Sequence, residues 1–169
     1  MQINVAQLLR SPVGTTRDYQ LCEVIEVASD GHRHLVTGAV RLTRTPRSIL
    51  VEGRLNTETE LTCSRCLGLF TYPLLINIED EYLPTVDVVS GLPLPPPEEP
   101  GAFTIDSHHI LDLTEAIRQY SILAIPMKPI CREDCAGLCP HCGHNLNQGA
   151  CNCPAPVDPR WSALNKLQL

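Results

Sequence analysis

The sequence PICREDCAGLCPHCGHNLNQGACNCP, residues 129–154, holds six of the nine cysteines of the chain and is the stretch that decides its fold. Two more cysteines form the motif CSRC at residues 63–66. Cysteines paired across short spacers are typical of tetrahedral metal sites, because one tight turn presents two sulfurs to one ion. The sequence therefore predicts two four-cysteine sites. The predicted ligands are Cys63, Cys66, Cys131, Cys135, Cys139, Cys142, Cys151 and Cys153.

Zinc is the metal that this pattern favours, since Zn²⁺ has no ligand-field preference and accepts four thiolates. Three alternatives stay open. Disulfides fit poorly with an odd cysteine count and with the lack of a secretory signal. An iron–sulfur cluster also takes four thiolates. A redox pair at Cys63 and Cys66 lacks the surrounding βαβ pattern of a thioredoxin-like site.

The grouping of the eight cysteines is a separate question. We favour Cys139, Cys142, Cys151 and Cys153 as one compact set, because the polar loop between its halves contains two glycines and can turn sharply. The other four then join residues 63–66 to residues 131–135. In the alternative grouping, the four cysteines between residues 131 and 142 share one ion, and Cys151 and Cys153 join Cys63 and Cys66. His141 and His144 can replace a thiolate, but we expect both to be exposed side chains.

The residues before the cysteine-rich stretch predict strands that follow one another without helices between them. In HLVTGAVRLTR, residues 34–44, small and polar residues alternate with apolar ones, as in a half-buried strand. We predict an α+β fold with an antiparallel β-sheet, which can curl into a barrel. The CSRC motif is the turn between two strands. Cys22, inside a strand, is predicted to be a small core residue without a functional role.

Two domains are expected. Residues 1–125 form the β domain, with a proline-rich, acidic linker at 84–109 and a helix at 112–125 that begins with a capping box, Asp112 and Glu115. Residues 126–169 form the cysteine-rich zinc-binding tail. That tail is predicted to end in a short helix at 160–167, because Asp158 and Pro159 are typical of a helix start.

The formal charge is −6, and each Zn²⁺ held by four thiolates contributes a net −2, so two sites would take it to −10. An acidic protein is not an obvious nucleic-acid binder. Arginines are nevertheless concentrated at residues 33–54, and arginine makes bidentate contacts with phosphate. Arg41, Arg44 and Arg47 are therefore candidate RNA contacts, against the simpler interpretation of a solvated hairpin.

Several functional classes are disfavoured. The chain contains no Gly-rich phosphate loop, no Gly-x-Ser-x-Gly and no His-Glu-x-x-His motif. The predicted ligand sets are complete without water, which is typical of structural rather than catalytic zinc. No apolar run is long enough to span a membrane. We therefore expect a cytoplasmic protein that is not an enzyme and has no small-molecule substrate.

Three stretches resemble the YceD family of large ribosomal RNA subunit accumulation proteins. They are INVAQLLRSPVGTTRDYQL at residues 3–21, LTCSRCL at 61–67 and IPMKPICREDCAGLCPHCGHNLNQGACNC at 125–153. The resemblance implies a bacterial, non-enzymatic factor in synthesis or assembly of the large ribosomal subunit. Some members resemble this chain only up to about Cys135, which implies that Cys63, Cys66, Cys131 and Cys135 are a self-sufficient set.

The partner that the resemblance implies is a precursor of the large subunit. The negative charge favours contact with a basic ribosomal protein or assembly factor over direct RNA binding. A second hypothesis is a thiol-based redox or zinc-responsive regulator, which rests on the cysteine density and on the unpaired Cys22.

Overall fold

The computed structural model describes residues 1–27 and 32–153. The predicted helix at 160–167 lies outside these described residues. The elements, in chain order, are β1 (Gln2–Asn4), α1 (Ala6–Leu9), β2 (Thr16–Glu26), β3 (Arg33–Arg44), β4 (Ile49–Thr62), β5 (Leu69–Pro84), β6 (Phe103–Ile105), β7 (Ile110–Asp112) and α2 (Thr114–Ala124). The α+β class predicted from the sequence is confirmed. No helix among the described residues is long and apolar enough to cross a lipid bilayer.

The main sheet has the strand order β2-β3-β4-β5-β6, and a second sheet pairs β1 with β7. Strands β2, β3 and β4 pair antiparallel, whereas β6 runs parallel to β5. The sheet is thus mixed rather than purely antiparallel. It is open, with β2 and β6 at its edges among the described residues, so the predicted closure into a barrel does not occur.

The chain divides into two compact units, and the division is not collinear with the sequence. The first unit comprises Met1–Thr59 and Thr71–Pro126. The second comprises Glu60–Phe70 and the residues from Met127 onward. The CSRC turn therefore lies in the same unit as the cysteine-rich stretch, although more than sixty residues separate them along the chain.

The core of the first unit lies on one face of the main sheet. The alternation predicted for β3 is confirmed, since Val36, Val40 and Leu42 are fully buried while Arg41 is exposed. Gly38 of β3 passes close to β4: a Cβ at this position would lie 2.2 Å from the carbonyl oxygen of Arg54. Only glycine allows the two strands to approach this closely.

Helix α2 packs its apolar side into this core. Leu113, at its start, is fully buried together with Ala116 and Ile117. Ser121 is also buried, and its hydroxyl donates to the carbonyl oxygen of Val27, which follows β2. The helix is shorter than the predicted 112–125, because Asp112 still belongs to β7 and Pro126 prevents continuation at the other end.

The predicted capping box does not form, because Leu113 is the N-cap residue and no side chain caps it. The Asp112 carboxylate accepts hydrogen bonds from the backbone N–H and the hydroxyl of Thr114, at 2.9 and 2.6 Å. Glu115 instead turns toward Arg118, whose Nη2 lies 2.6 Å from its Oε1. Asp112 thus satisfies one backbone donor at the helix start, that of Thr114, while Glu115 forms an ion pair along the helix.

The proline-rich stretch at 84–109 is more ordered than the predicted linker. It contains β6, and an isolated bridge pairs Val86 with Pro93. Cys22 is exposed, which corrects its prediction as a core residue. In β2 the buried residues are Leu21 and Ile25, so the side chain that follows Leu21 must point to the opposite face.

Candidate metal centres

The CSRC turn connects β4 to β5 and positions the first two sulfurs. The Cys63 N–H donates to the carbonyl oxygen of Gly68 at 2.9 Å, and the Leu67 N–H donates back to the Cys63 carbonyl oxygen at 2.9 Å. This pair of bonds closes the turn, and Leu67 is held at a φ of 57°. A positive φ is unfavourable for leucine, so the surrounding bonds hold it there.

The CPHC turn at residues 139–142 repeats this backbone geometry. The Cys139 N–H donates to the His144 carbonyl oxygen at 2.8 Å, and the Gly143 N–H donates to the Cys139 carbonyl oxygen at 2.9 Å. Gly143 takes the position of Leu67, with a φ of 71°. Glycine adopts this conformation without steric penalty. The second unit therefore contains two copies of one Cys-x-x-Cys turn, at residues 63–68 and 139–144, which we call the knuckle turns.

The first cluster consists of the four cysteines Cys63, Cys66, Cys131 and Cys135, whose sulfurs all lie within 4.8 Å of one another. The Sγ atoms of Cys63 and Cys135 are 3.9 Å apart. Those of Cys66 and Cys131 are 3.8 Å apart. Cys63, Cys66 and Cys135 are buried, and Cys131 is partly exposed.

Two residues of the CSRC turn align the distant half of this cluster. The N–H and the hydroxyl of Ser64 both donate to the Pro129 carbonyl oxygen, at 2.8 and 2.6 Å. The Arg65 Nη1 donates to the carbonyl oxygens of Glu133 and Cys135, each at 3.2 Å. Hydrogen bonds from Ser64 and Arg65 to the backbone thus hold the two chain segments together beside the four sulfurs.

The second cluster consists of the four cysteines Cys139, Cys142, Cys151 and Cys153, again with all sulfurs within 4.8 Å of one another. Cys139 is buried, Cys142 is exposed, and the other two are half-buried. This grouping of the eight sulfurs is the one that the sequence favoured. His141 and His144 belong to neither set and are exposed.

The distances between the sulfurs of the first cluster test which group this cluster can hold. Zinc–sulfur bonds of about 2.3 Å in a regular tetrahedron place the sulfurs about 3.8 Å apart. The measured separations of 3.8 and 3.9 Å agree with a single tetrahedral ion. They are too long for disulfide bonds, which join sulfurs at about 2.05 Å. A four-iron cluster places several iron atoms between its ligands and requires wider separation.

Backbone N–H groups favour the thiolate form of the first cysteine in each turn. The N–H groups of Cys66, Cys131 and Arg65 point at Cys63 Sγ and lower its pKa to about 6, against the opposing effect of burial. Cys139 receives the equivalent bonds from Cys142 and His141, and its pKa is also lowered to about 6. Each turn thus provides one thiolate at neutral pH.

The thiols of Cys131 and Cys153, by contrast, resist ionisation when no cation balances them. Burial, with hydrogen bonds from neighbouring sulfurs, raises the pKa of Cys131 to about 12. Hydrogen bonding to Cys142 and burial raise that of Cys153 to about 12. Four thiolates this close repel one another, so a divalent cation is what would allow all four to ionise. Metal affinity must therefore rise with pH.

Asn147 belongs to the stretch that carries the family resemblance, but the sequence assigned it no role at a cluster. Its Nδ2 donates to Cys135 Sγ at 3.4 Å, and its Oδ1 accepts from the Ala136 N–H at 2.9 Å and from Arg132 Nη2 at 2.7 Å. Asn147 lies between Cys142 and Cys151 in the chain, so the loop of the second cluster supports a ligand of the first. Its place among the motif residues of that stretch was the signal in the sequence.

The three candidate RNA contacts do not form one surface of unpaired cations. Arg41 is exposed, and its Nε lies 2.8 Å from Asp18 Oδ1 on the neighbouring strand. Arg44 is half-buried, and its Nη1 donates to the carbonyl oxygens of Thr45 and Ser48 at 2.6 and 3.0 Å. Arg47 is exposed in the β3–β4 turn.

Similar proteins occur in mycobacteria. The chain is 29% identical over 140 residues to the uncharacterized proteins Mb2951c of Mycobacterium bovis and Rv2926c of Mycobacterium tuberculosis, covering 76% of this chain and 59% of each relative. It is 24% identical over 128 residues to the uncharacterized protein ML1660 of Mycobacterium leprae, covering 76% of this chain and 57% of the relative. The chain thus spans less than three fifths of the length of these curated relatives. No solved structure matches it.

The family resemblance inferred from the cysteine motifs is confirmed. The family model described as "Large ribosomal RNA subunit accumulation protein YceD" matches residues 51–168, a span that contains all eight clustered cysteines. The chain therefore belongs to the YceD family.

Proposed function

We propose that this protein is a non-enzymatic, zinc-binding factor that promotes accumulation or assembly of large-subunit ribosomal RNA in the bacterial cytoplasm. The family match over residues 51–168 is the observation that carries the proposal. The metal assignment rests on the two sets of four cysteines and on the spacing of their sulfurs.

Zinc would have a structural role in both clusters. Four protein sulfurs complete the coordination of the ion, so no position remains for a water molecule or a substrate. The ion supplies positive charge that lets four neighbouring thiolates coexist. In the first cluster these thiolates come from two chain segments, 63–66 and 131–135, so binding holds together parts of the second unit that are remote in sequence.

The partner is proposed to be a precursor of the large ribosomal subunit, reached through a basic ribosomal protein or assembly factor or through its RNA. The formal charge of −6 supports the protein route, because like charges repel at the phosphate backbone. Arg41 and Arg44 also support the protein route, because both already contact acceptors within this protein.

Deletion of the gene followed by gradient sedimentation tests the proposal. We expect less large-subunit ribosomal RNA in the deleted strain, and we expect the tagged protein to sediment with large-subunit precursors. Cys66→Ser and Cys142→Ser each remove one cluster ligand, whereas Cys22→Ser is the matched control at an exposed cysteine outside both clusters. Normal ribosomal RNA in the deleted strain, with the protein confined to the free fraction, would refute the function.

A second candidate function, a thiol-based or zinc-responsive regulator, is favoured by the exposure of the second cluster. Cys142 is exposed and Cys151 and Cys153 are half-buried, so an oxidant can reach them more easily than Cys63 or Cys135. Mild peroxide should then release metal from the second cluster first and change partner binding. Retention of both metals and of partner binding under peroxide would eliminate this candidate.

A further inference from the structure

A groove of about 690 Å³ opens in the first unit, away from the cysteine clusters. Its walls come from the β3–β4 turn, the end of β5 and the proline-rich segment at residues 94–99. Leu83, Val86 and Leu94 give it an apolar lining. This volume lies within the range of sites that bind small ligands or side chains of a partner.

The charge of the groove is strongly negative. Five carboxylates line it, against the two guanidinium groups of Arg44 and Arg47. These acidic residues are Asp80, Glu81, Asp87, Glu98 and Glu99. A concave surface lined by one sign of charge concentrates ligands of the opposite sign. The groove therefore attracts cations and repels phosphate.

Of the two arginines, Arg44 lies next to one of these carboxylates. Arg44 directs its Nη1 at the carbonyl oxygens of Thr45 and Ser48, and its Nε is buried without a hydrogen-bond partner. The Ser48 hydroxyl in turn donates to Glu81 Oε2 at 3.1 Å, which places a carboxylate beside Arg44. A phosphate approaching Arg44 would meet this carboxylate.

The proline-rich wall is ordered by contacts within the first unit. The Leu94 N–H donates to the Thr85 carbonyl oxygen at 2.9 Å, and Val86 bridges Pro93. The three prolines that follow, residues 95–97, have fixed φ angles and no N–H groups. This wall is extended before a ligand arrives, so binding costs little conformational entropy there.

We propose that this acidic groove binds an extended basic peptide segment of a protein partner. Lysine or arginine head groups would lie among the five carboxylates, and their aliphatic stems would cover Leu83, Val86 and Leu94. The inference rests on the proposed function in one respect only, the identity of the protein that supplies the basic segment. The groove itself is defined by its charge and its apolar lining.

Fluorescence anisotropy with a short labelled lysine-rich peptide tests the groove, using the full zinc-loaded chain. We expect saturable binding that weakens as salt is added. The double charge reversal Glu98→Lys with Glu99→Lys should weaken binding about tenfold or more, because each reversal replaces an attraction by a repulsion. Both residues are exposed, so the fold should tolerate the change.

The control Glu58→Lys with Glu60→Lys changes net charge equally, on exposed positions of β4 that do not line the groove. It should keep the affinity within about twofold, since long-range attraction is largely screened at physiological salt. Equal loss in both pairs, no saturable binding, or tighter binding of a single-stranded RNA than of the peptide would overturn the inference. If cosedimentation with ribosomal precursors survives the Glu98/Glu99 reversal, the groove inference fails while the proposed function stands.

Discussion

At the scale of single residues, Asn147 links two sites that the sequence keeps apart. It contacts the sulfur of Cys135, yet it belongs to the loop that joins the halves of the second cluster. An N–H donor at a metal-bound thiolate stabilises its negative charge. Ordering of the second cluster is therefore expected to support metal binding by the first.

Asn147→Ala should weaken zinc binding by the first cluster about tenfold or more, in line with losses of outer-shell contacts at other metal sites. The change removes the donor to Cys135 and the acceptor for the Ala136 N–H. Competition with a chromophoric chelator measures the affinity. Asn152→Ala, at an exposed position in the same segment, is the control. An affinity equal to that of the unaltered protein in Asn147→Ala would contradict the support role.

The two knuckle turns make a matched pair for a second prediction. Leu67→Gly should raise stability by up to about 1 kcal/mol, because it removes the positive-φ penalty that leucine carries at 57°. Little packing is lost, since Leu67 is 64% exposed. Gly143→Ala, at the equivalent position, should lower stability by about 1 kcal/mol. Thermal unfolding of the zinc-loaded proteins measures both, and the same sign of change in the two variants would refute the equivalence.

At the scale of an element, the start of α2 depends on Asp112. Partial burial opposes ionisation of this carboxyl, but hydrogen bonds from Thr114 and Gln2 outweigh it and lower the pKa to about 2. The ordinary value is 3.8. Because the folded pKa lies below the unfolded one, this contribution to stability is complete above pH 3.8 and is lost as the pH falls toward 2.

Asp112→Ala should therefore cost about 1 kcal/mol at neutral pH, the usual net contribution of an intramolecular hydrogen bond. The difference in unfolding free energy between the two proteins should shrink below the ordinary carboxyl pKa. Metal loss in acid affects both proteins alike, so the difference isolates the Asp112 hydrogen bonds. Urea unfolding at a series of pH values measures it, and a difference that stays constant down to strong acid would argue against this role of Asp112.

At the scale of the whole molecule, the two clusters join segments at different distances along the chain. The first connects residues separated by 65 and 72 positions, whereas the second lies within residues 139–153. A crosslink that closes a longer loop removes more entropy from the unfolded chain. Loss of the first cluster should therefore be the more damaging of the two.

Cys63→Ser is expected to lower the midpoint of thermal unfolding more than Cys151→Ser, which should loosen mainly residues 139–153. Hydrogen exchange followed by mass spectrometry locates the loosened segments, and native mass spectrometry should count one metal fewer in each variant. Cys22→Ser is the control, because Cys22 is exposed and lies outside both clusters. Equal destabilisation by both cluster variants would refute this partition of roles.

The sequence by itself determined the features that depend on local pattern. Short cysteine spacing allows few ways to place two sulfurs on one ion, so the two groups of four could be predicted. Alternation in β3 predicted its buried face, because side chains of a strand point to opposite sides in turn. The helix start followed from the sequence to within two residues, since α2 begins at Thr114 rather than at Asp112.

Only the tertiary structure decided the features that depend on contacts between distant residues. Whether the sheet closes depends on its edge strands, and the parallel pairing of β6 with β5 is not encoded in either segment alone. Cys22 could face either side until its neighbours in space were known. Asn147 reaches Cys135, and five carboxylates meet around one groove, because folding brings together residues that no local pattern relates.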